Sequence, residues 1–100
     1  MIAPGDIAAR RDSPCELYVV VLSNAFHLAA DTGRLITCPF IPGRLPGDAM
    51  PMVVAIDKPE GTLLPELVQW LPSSSLEEPI GTISAAALRD TTSIVAALIS

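Results

Sequence analysis

The run Leu17-Tyr-Val-Val-Val-Leu-Ser23 constrains this chain most. Its β-branched residues favour extended backbone, and its apolar residues do not alternate with polar ones. A strand of that kind needs cover on both faces, which places it inside a sheet rather than at a solvated edge. Half of the 100 residues are apolar but only 4% are aromatic, so the core is expected to be aliphatic. Residues 1–100 are expected to form one domain with a small core, which leaves burial against a second subunit open. The apolar content excludes intrinsic disorder.

Around that strand the chain reads as short extended pieces separated by turns. Asn24 to Asp31 is a connector with room for a short helical turn, and Thr32-Gly33 marks a turn. Arg34 to Ile41 reads as the next strand, in which Pro39 removes a ladder donor and is expected at an edge or a bulge. Pro42 to Asp48 is a loop. Met50 to Asp57 gives a third strand, Lys58-Pro-Glu-Gly61 a tight turn, and Thr62 to Trp70 a fourth strand with Pro65 inside it. Pro72-Ser-Ser-Ser75 breaks the chain, and Ile80 to Ile83 gives a last short strand.

The final segment has a different period. Ser84 is placed to cap a helix, and Ala87, Leu88, Thr91, Ile94, Val95, Leu98 and Ile99 fall on one helical stripe. About five short strands followed by one helix imply a mainly β fold, a small and strongly bent antiparallel sheet or barrel. The stripe carries no charge beyond Asp90, more apolar surface than a small barrel can cover. Val95, Leu98 and Ile99 are therefore the expected interface of a two-fold dimer.

Several function classes are excluded or unsupported. The longest uncharged stretch, Leu17 to Ala30, is shorter than the roughly 20 apolar residues of a membrane-spanning helix, and no signal-peptide pattern opens the chain. A cytoplasmic protein with no membrane association is expected. Neither a Gly-rich phosphate loop nor a two-histidine metal motif is present, so no metal and no cofactor are expected. Cys15 and Cys38 have no redox or metal spacing. A disulfide between them stays open, but in a cytosolic chain they read as two small buried hydrophobes. The lone His27 reads as a hydrogen-bonded structural residue, and Trp70 as a core or interface anchor rather than a base-stacking platform.

The net charge of −5 argues against a general nucleic-acid binder. Most of the excess is in residues 51–100, which carry −4, while residues 1–50 carry −1. The first half holds Arg10, Arg11, Arg34 and Arg44, enough for a local patch toward an anionic ligand. The planar guanidinium suits carboxylates and phosphates.

Read along its length, the chain resembles the CcdB/MazF superfamily of bacterial toxins. Pro4-Gly-Asp-Ile7 is similar to the opening of that family's first strand, and Val19-Val-Val-Leu-Ser-Asn24 to its second. Asp31-Thr-Gly33 with Leu35-Ile-Thr-Cys-Pro39 resembles the turn and third strand. Leu67-Val-Gln-Trp70 and Ile80-Gly-Thr-Ile-Ser-Ala-Ala-Ala-Leu88 resemble the late strand and the entry to the last helix. The resemblance implies a homodimer with an SH3-like barrel and a C-terminal helix, neutralised by a cognate antitoxin. MazF members are metal-independent endoribonucleases that use an Arg in an Arg-Pro pair at the start of the second strand and a Thr or Ser just after the third. Here Leu17-Tyr18 stands at the Arg-Pro position, and Ile41-Pro42 at that of the Thr. The short loop Ala9 to Glu16 looks more like the CcdB branch, whose members poison DNA gyrase, although Ala97-Leu-Ile-Ser100 replaces that branch's terminal Trp-Gly-Ile.

Two functions follow from the resemblance. In the first, the chain is an mRNA-cleaving toxin with displaced catalytic groups: Arg10 or Arg11 stabilises the phosphate, and Thr37, Asp12 or Glu16 moves protons. Arg34 and Arg44 steer RNA, and Asp12, Glu16, Arg34 and Arg44 contact RNA or the antitoxin. In the second, the chain is a non-enzymatic toxin that inhibits a target such as DNA gyrase by binding it.

Overall fold

A computed structural model describes residues 2–43 and 52–99. Its framework is one curled antiparallel sheet. The strands are β1 (Asp6–Ala9), β2 (Tyr18–Val21), β3 (Arg34–Pro42), β4 (Val54–Asp57), β5 (Glu60–Leu63), β6 (Gln69–Pro72) and β7 (Gly81–Thr82). Helix α1 (Ala25–Ala29) follows β2, and helix α2 (Ala85–Ile99) ends the chain. The strands pair in the order β4-β5-β3-β2-β1-β7, with β6 also on β3. The mainly β fold with a terminal helix is the one expected, and the sheet forms a half-barrel.

Strand β2 is covered on both faces. Val19 and Val21 enter one core with Ala8, Leu35, Leu71 and Leu76. Val20 and Leu22 enter the other with Ile7, Cys38, Phe40, Leu63, Ile83 and Ala87. The period-two alternation of a strand sends successive valines to opposite faces, so one unbroken run feeds two cores. Helix α2 closes the second core. Ser84 Oγ accepts from the Ala87 N–H at 3.1 Å at its start, and the helix packs against β4 and a 3₁₀ turn at Pro65–Leu67.

Prolines account for two departures from the expected strands. Pro39 sits mid-sheet, opposite Val19 of β2, and not at an edge or bulge. On the other side of β3, residues 34–37 pair with β6 and residues 40–42 with β5. Pro39 falls at the changeover, where its carbonyl accepts from Leu64 N–H at 3.1 Å and the missing donor leaves no gap in either ladder. The expected strand from Thr62 to Trp70 is two strands, because Pro65 opens the 3₁₀ turn between β5 and β6. The third expected strand is confined to Val54–Asp57, its residues 50 and 51 lying outside the described residues.

Gly61 is fixed by packing. A Cβ there would lie 2.8 Å from the Ile41 carbonyl oxygen and run into the Phe40 ring. Only glycine lets β5 lie this close to β3. The Lys58–Pro59 peptide in the preceding turn is cis.

Candidate functional site

Where β2 begins and β3 ends, the curled sheet opens into a groove of about 310 Å³. Leu17, Tyr18 and Val19 line it from one strand and Pro39 to Pro42 from the other, with Gln69 contributed by β6. Arg10 and Glu16 come from the two ends of the short loop between β1 and β2. That loop is tied at its base by Arg10 N–H donating to the Leu17 carbonyl at 2.9 Å. Leu17 and Ile41, the positions at which the MazF pattern has its Arg and Thr, therefore face one groove, and both are apolar.

Polar groups gather on the loop side. Arg10 donates from Nε to Asp12 Oδ1 and from Nη2 to Asp12 Oδ2, each at 2.9 Å. The hydrogen bond to Arg10 holds the Asp12 carboxyl below the ordinary aspartate range, and the same bond raises Arg10 further. The Tyr18 hydroxyl donates to Glu16 Oε1. That bond, chiefly, raises the phenol above its ordinary value, with smaller contributions from burial and from the charges of Glu16 and Glu77. Glu16 and Tyr18 are two residues apart, the spacing that puts side chains on one side of extended backbone, whereas the Arg10–Asp12 pair closes across the turn that follows β1. The groove thus offers a guanidinium beside an apolar floor, while the Tyr18 ring turns to the opposite face of β2, against the core that holds Val20 and Phe40.

The structure separates the other expected site residues. Arg11 reaches away and donates from Nη2 to the Leu76 carbonyl at 2.7 Å, tying the loop to the chain after β6. Thr37 was expected to be catalytic, but it is fully buried and its hydroxyl donates to the Gln69 carbonyl at 3.2 Å. It sits in β3 directly opposite Gln69 of the neighbouring strand β6, shut off from solvent. Arg34 is exposed at the other end of β3, roughly 17 Å along the strand from Pro39. Arg44 lies outside the described residues. On α2, Val95 is half-buried against the core, while Leu98 and Ile99 are 45% and 79% exposed.

Gln69 was missed in the sequence, where it reads as one more residue of the expected strand from Thr62 to Trp70, and no local signal marks it. His27 has the structural role expected of it: Nδ1 pairs with Ser23 Oγ at 2.7 Å, and Ser23 Oγ also accepts from Ile36 N–H at 2.8 Å. Trp70 is not in the core. It is 57% exposed, with the His27 ring edge-on at 5.4 Å. The cysteines are both free and differ: Cys38 is buried as expected, whereas Cys15 is exposed on the loop. Among the described residues no group of three or more His, Cys, Asp or Glu side chains is placed to hold a metal ion, and no helix is long and apolar enough to cross a membrane.

Comparison with solved structures gives the class of fold. The MazE–MazF complex (Form-II) of Deinococcus radiodurans aligns with a TM-score of 0.80 at 20% identity, covering 99% of this chain and 95% of that one. An endoribonuclease in complex with its cognate antitoxin, from a mycobacterial species, aligns with a TM-score of 0.77 at 15% identity, covering 97% and 93%. The architecture is that of the small β toxins with a terminal helix. More specifically, the chain belongs to the family of type II toxin–antitoxin system toxins described as Rv0299, whose model matches residues 5–98. Toxin Rv0299 of Mycobacterium tuberculosis is 67% identical to it over 99 residues, 99% of each chain. The chain is the toxin of a type II toxin–antitoxin system.

Proposed function

We propose that this toxin is a cytoplasmic endoribonuclease that cuts single-stranded RNA in the groove between the start of β2 and the end of β3. One observation carries the reading: Arg10 enters the same groove as Leu17 and Ile41, the positions of the catalytic pair in the MazF pattern. A guanidinium there can replace the missing Arg from a neighbouring strand end, meeting the charge that builds on phosphorus during transfer to the 2′-oxygen. The shared fold with a mycobacterial endoribonuclease supports it.

Two partners complete the proposal. A cognate antitoxin silences the toxin by laying an acidic, apolar-flanked segment along the groove, its carboxylates replacing Asp12 on Arg10 and its apolar side chains resting on Leu17 and Ile41. A second copy of the chain covers the outer end of α2, where Val95, Leu98 and Ile99 follow the last charged residue, Asp90. The test is to incubate the purified toxin with defined single-stranded RNA and map the new 5′ ends. Discrete cleavage that stops on addition of antitoxin is expected, and intact RNA from a protein that still arrests growth overturns the reading.

A second reading has its own observation. The apolar floor made by Leu17 and Ile41 suits a protein segment as well as a nucleotide, as in a toxin that blocks an enzyme such as DNA gyrase by binding. Growth arrest with trapped gyrase–DNA complexes and uncut RNA would favour it.

A further inference from the structure

Resting on the endoribonuclease reading, we infer that Gln69 reads the base beside the cut and makes the toxin prefer adenine there. Strand register places its side chain on the face of the sheet that carries the groove. Val21 of β2 stands opposite Thr37 of β3, and Thr37 stands opposite Gln69 of β6. Val21 and Leu71 enter one core, so Gln69, two residues before Leu71, shares their face. The same alternation puts Leu17, Val19, Pro39 and Ile41 on it. Arg10 joins them where its N–H bonds to the Leu17 carbonyl. Gln69 lines the groove with these residues, and among the described residues it is the one uncharged polar side chain on that face of it.

Arg10 and Gln69 form opposite walls. The strand order β1-β2-β3-β6 lies between them, three spacings of about 4.8 Å that the curl of the sheet shortens. The Gln69 carbonyl is held by the Thr37 hydroxyl at 3.2 Å, which fixes the backbone and leaves the side chain to a ligand. Among the described residues the Gln69 amide makes no hydrogen bond, and no buried side-chain polar atom lacks a partner, so the amide is open to solvent. A nucleotide whose phosphate rests on Arg10 can lay its base over Val19 and Pro39 and bring one edge to that amide. The amide sets an acceptor oxygen beside N–H donors. Adenine presents the complement on both its edges, a ring-nitrogen acceptor beside the 6-amino donor, and glutamine meets it with two hydrogen bonds. Unpaired RNA bases expose both edges. Cytosine has that arrangement on one edge only, and its single ring reaches less far across the groove.

The test counts bases at the cut. Wild type, Gln69→Ala and Gln69→Glu are each incubated with a randomised single-stranded RNA, and the bases flanking every new 5′ end are determined. The wild type is expected to favour adenine at one flanking position by roughly 5- to 150-fold. Gln69→Ala is expected to cut with that preference gone, and its cutting shows that the variant is folded. Gln69→Glu offers acceptors and no donor, so its preference is expected to move to guanine, whose N1–H and 2-amino group are both donors. A second measurement removes the group being read. Purine riboside in place of the adenosine, which lacks the 6-amino group, is expected to slow the wild type by a similar factor and to leave Gln69→Ala unaffected. A cleaving wild type without an adenine preference, an adenine preference that survives in either variant, or a folded Gln69→Ala that no longer cuts overturns base reading alone. A wild type that leaves the RNA uncut overturns the endoribonuclease reading and this inference with it.

Discussion

Arg10 and Asp12 meet through two parallel hydrogen bonds of 2.9 Å, the fork of the guanidinium filled by the carboxylate two residues along. The same fork geometry would receive two oxygens of a phosphate or of a partner's carboxylate. Asp12 therefore holds Arg10 in a binding conformation while competing for its donors. Solvent screens an exposed pair of this kind, so releasing it costs the fold little. Replacing Asp12 with Asn is expected to tighten the binding of a 2′-O-methyl RNA, which cannot be cleaved through its 2′-oxygen, by about two- to fivefold. Fluorescence anisotropy at several salt concentrations measures it, and weaker binding by the variant would give Asp12 a supporting role instead.

The same pair sets a pH dependence. The Asp12 carboxyl titrates below its ordinary 3.8 in the folded chain because Arg10 stabilises its charged form. Its contribution to stability is therefore present above that value and lost as pH falls through the lower folded-state value. The difference in melting temperature between the wild type and Asp12→Asn should be constant from neutral pH down to about 5 and shrink below about 4. Thermal melts across that range are the check.

Arg10 and Arg11 are neighbours with opposite expectations. Arg11 donates to the Leu76 carbonyl at 2.7 Å and ties the loop to the body of the protein. Arg11→Ala is expected to cost about 1–3 kcal/mol of stability while leaving the cleavage chemistry of the folded protein nearly intact. Arg10→Ala is expected to keep stability within about 1 kcal/mol and lose toxicity. Denaturant titration beside a growth assay separates them, and a reversed pattern would exchange their roles.

The two cysteines should differ in reactivity. Burial pushes the Cys38 thiol up to about 12 from an ordinary 9.0, so the reactive thiolate is suppressed at neutral pH. Cys15 is exposed on the loop. One thiol per chain should react with a thiol reagent under native conditions and both after unfolding. Since the folded-state value of Cys38 is the raised one, its thiol supports stability fully below pH 9 and loses that contribution as pH rises toward 12. Two fast-reacting thiols in the native protein would contradict the packing of β3.

Gly61→Ala tests the closeness of β5 to β3. The added methyl meets a backbone carbonyl at 2.8 Å and the Phe40 ring, neither of which can yield without moving a strand. Overpacking of this kind costs typically 1–3 kcal/mol. An unchanged melting temperature would show that β5 and β3 yield to the added methyl.

The physics of particular residues decides what the sequence discloses. The Leu17–Ser23 run announces an interior strand because its valines must be buried on both sides, and the two cores on either face of β2 confirm it. The helix stripe is legible from its period and its Ser84 cap, although burial fades along it from Ala87 and Thr91 to the exposed Leu98 and Ile99. Strand β1, only Asp6–Ala9, is too short to carry a pattern and is visible only through the family resemblance. Pro39 defeats the edge-strand rule because β3 changes neighbours at that residue. The site is less legible than the fold. Nothing local distinguishes Thr37, whose hydroxyl turns inward to a carbonyl, from a threonine facing solvent, and Gln69 hides within the strand expected from Thr62 to Trp70.

The role of Arg10 is tested by the single-turnover rate of RNA cleavage by Arg10→Ala against the wild type, with circular dichroism confirming the fold. If Arg10 stabilises the phosphorus centre in the groove, the rate falls by about 10²–10³-fold while the melting temperature stays nearly constant. A folded Arg10→Ala protein that cuts RNA at the wild-type rate would contradict the claim and move the active site out of this groove.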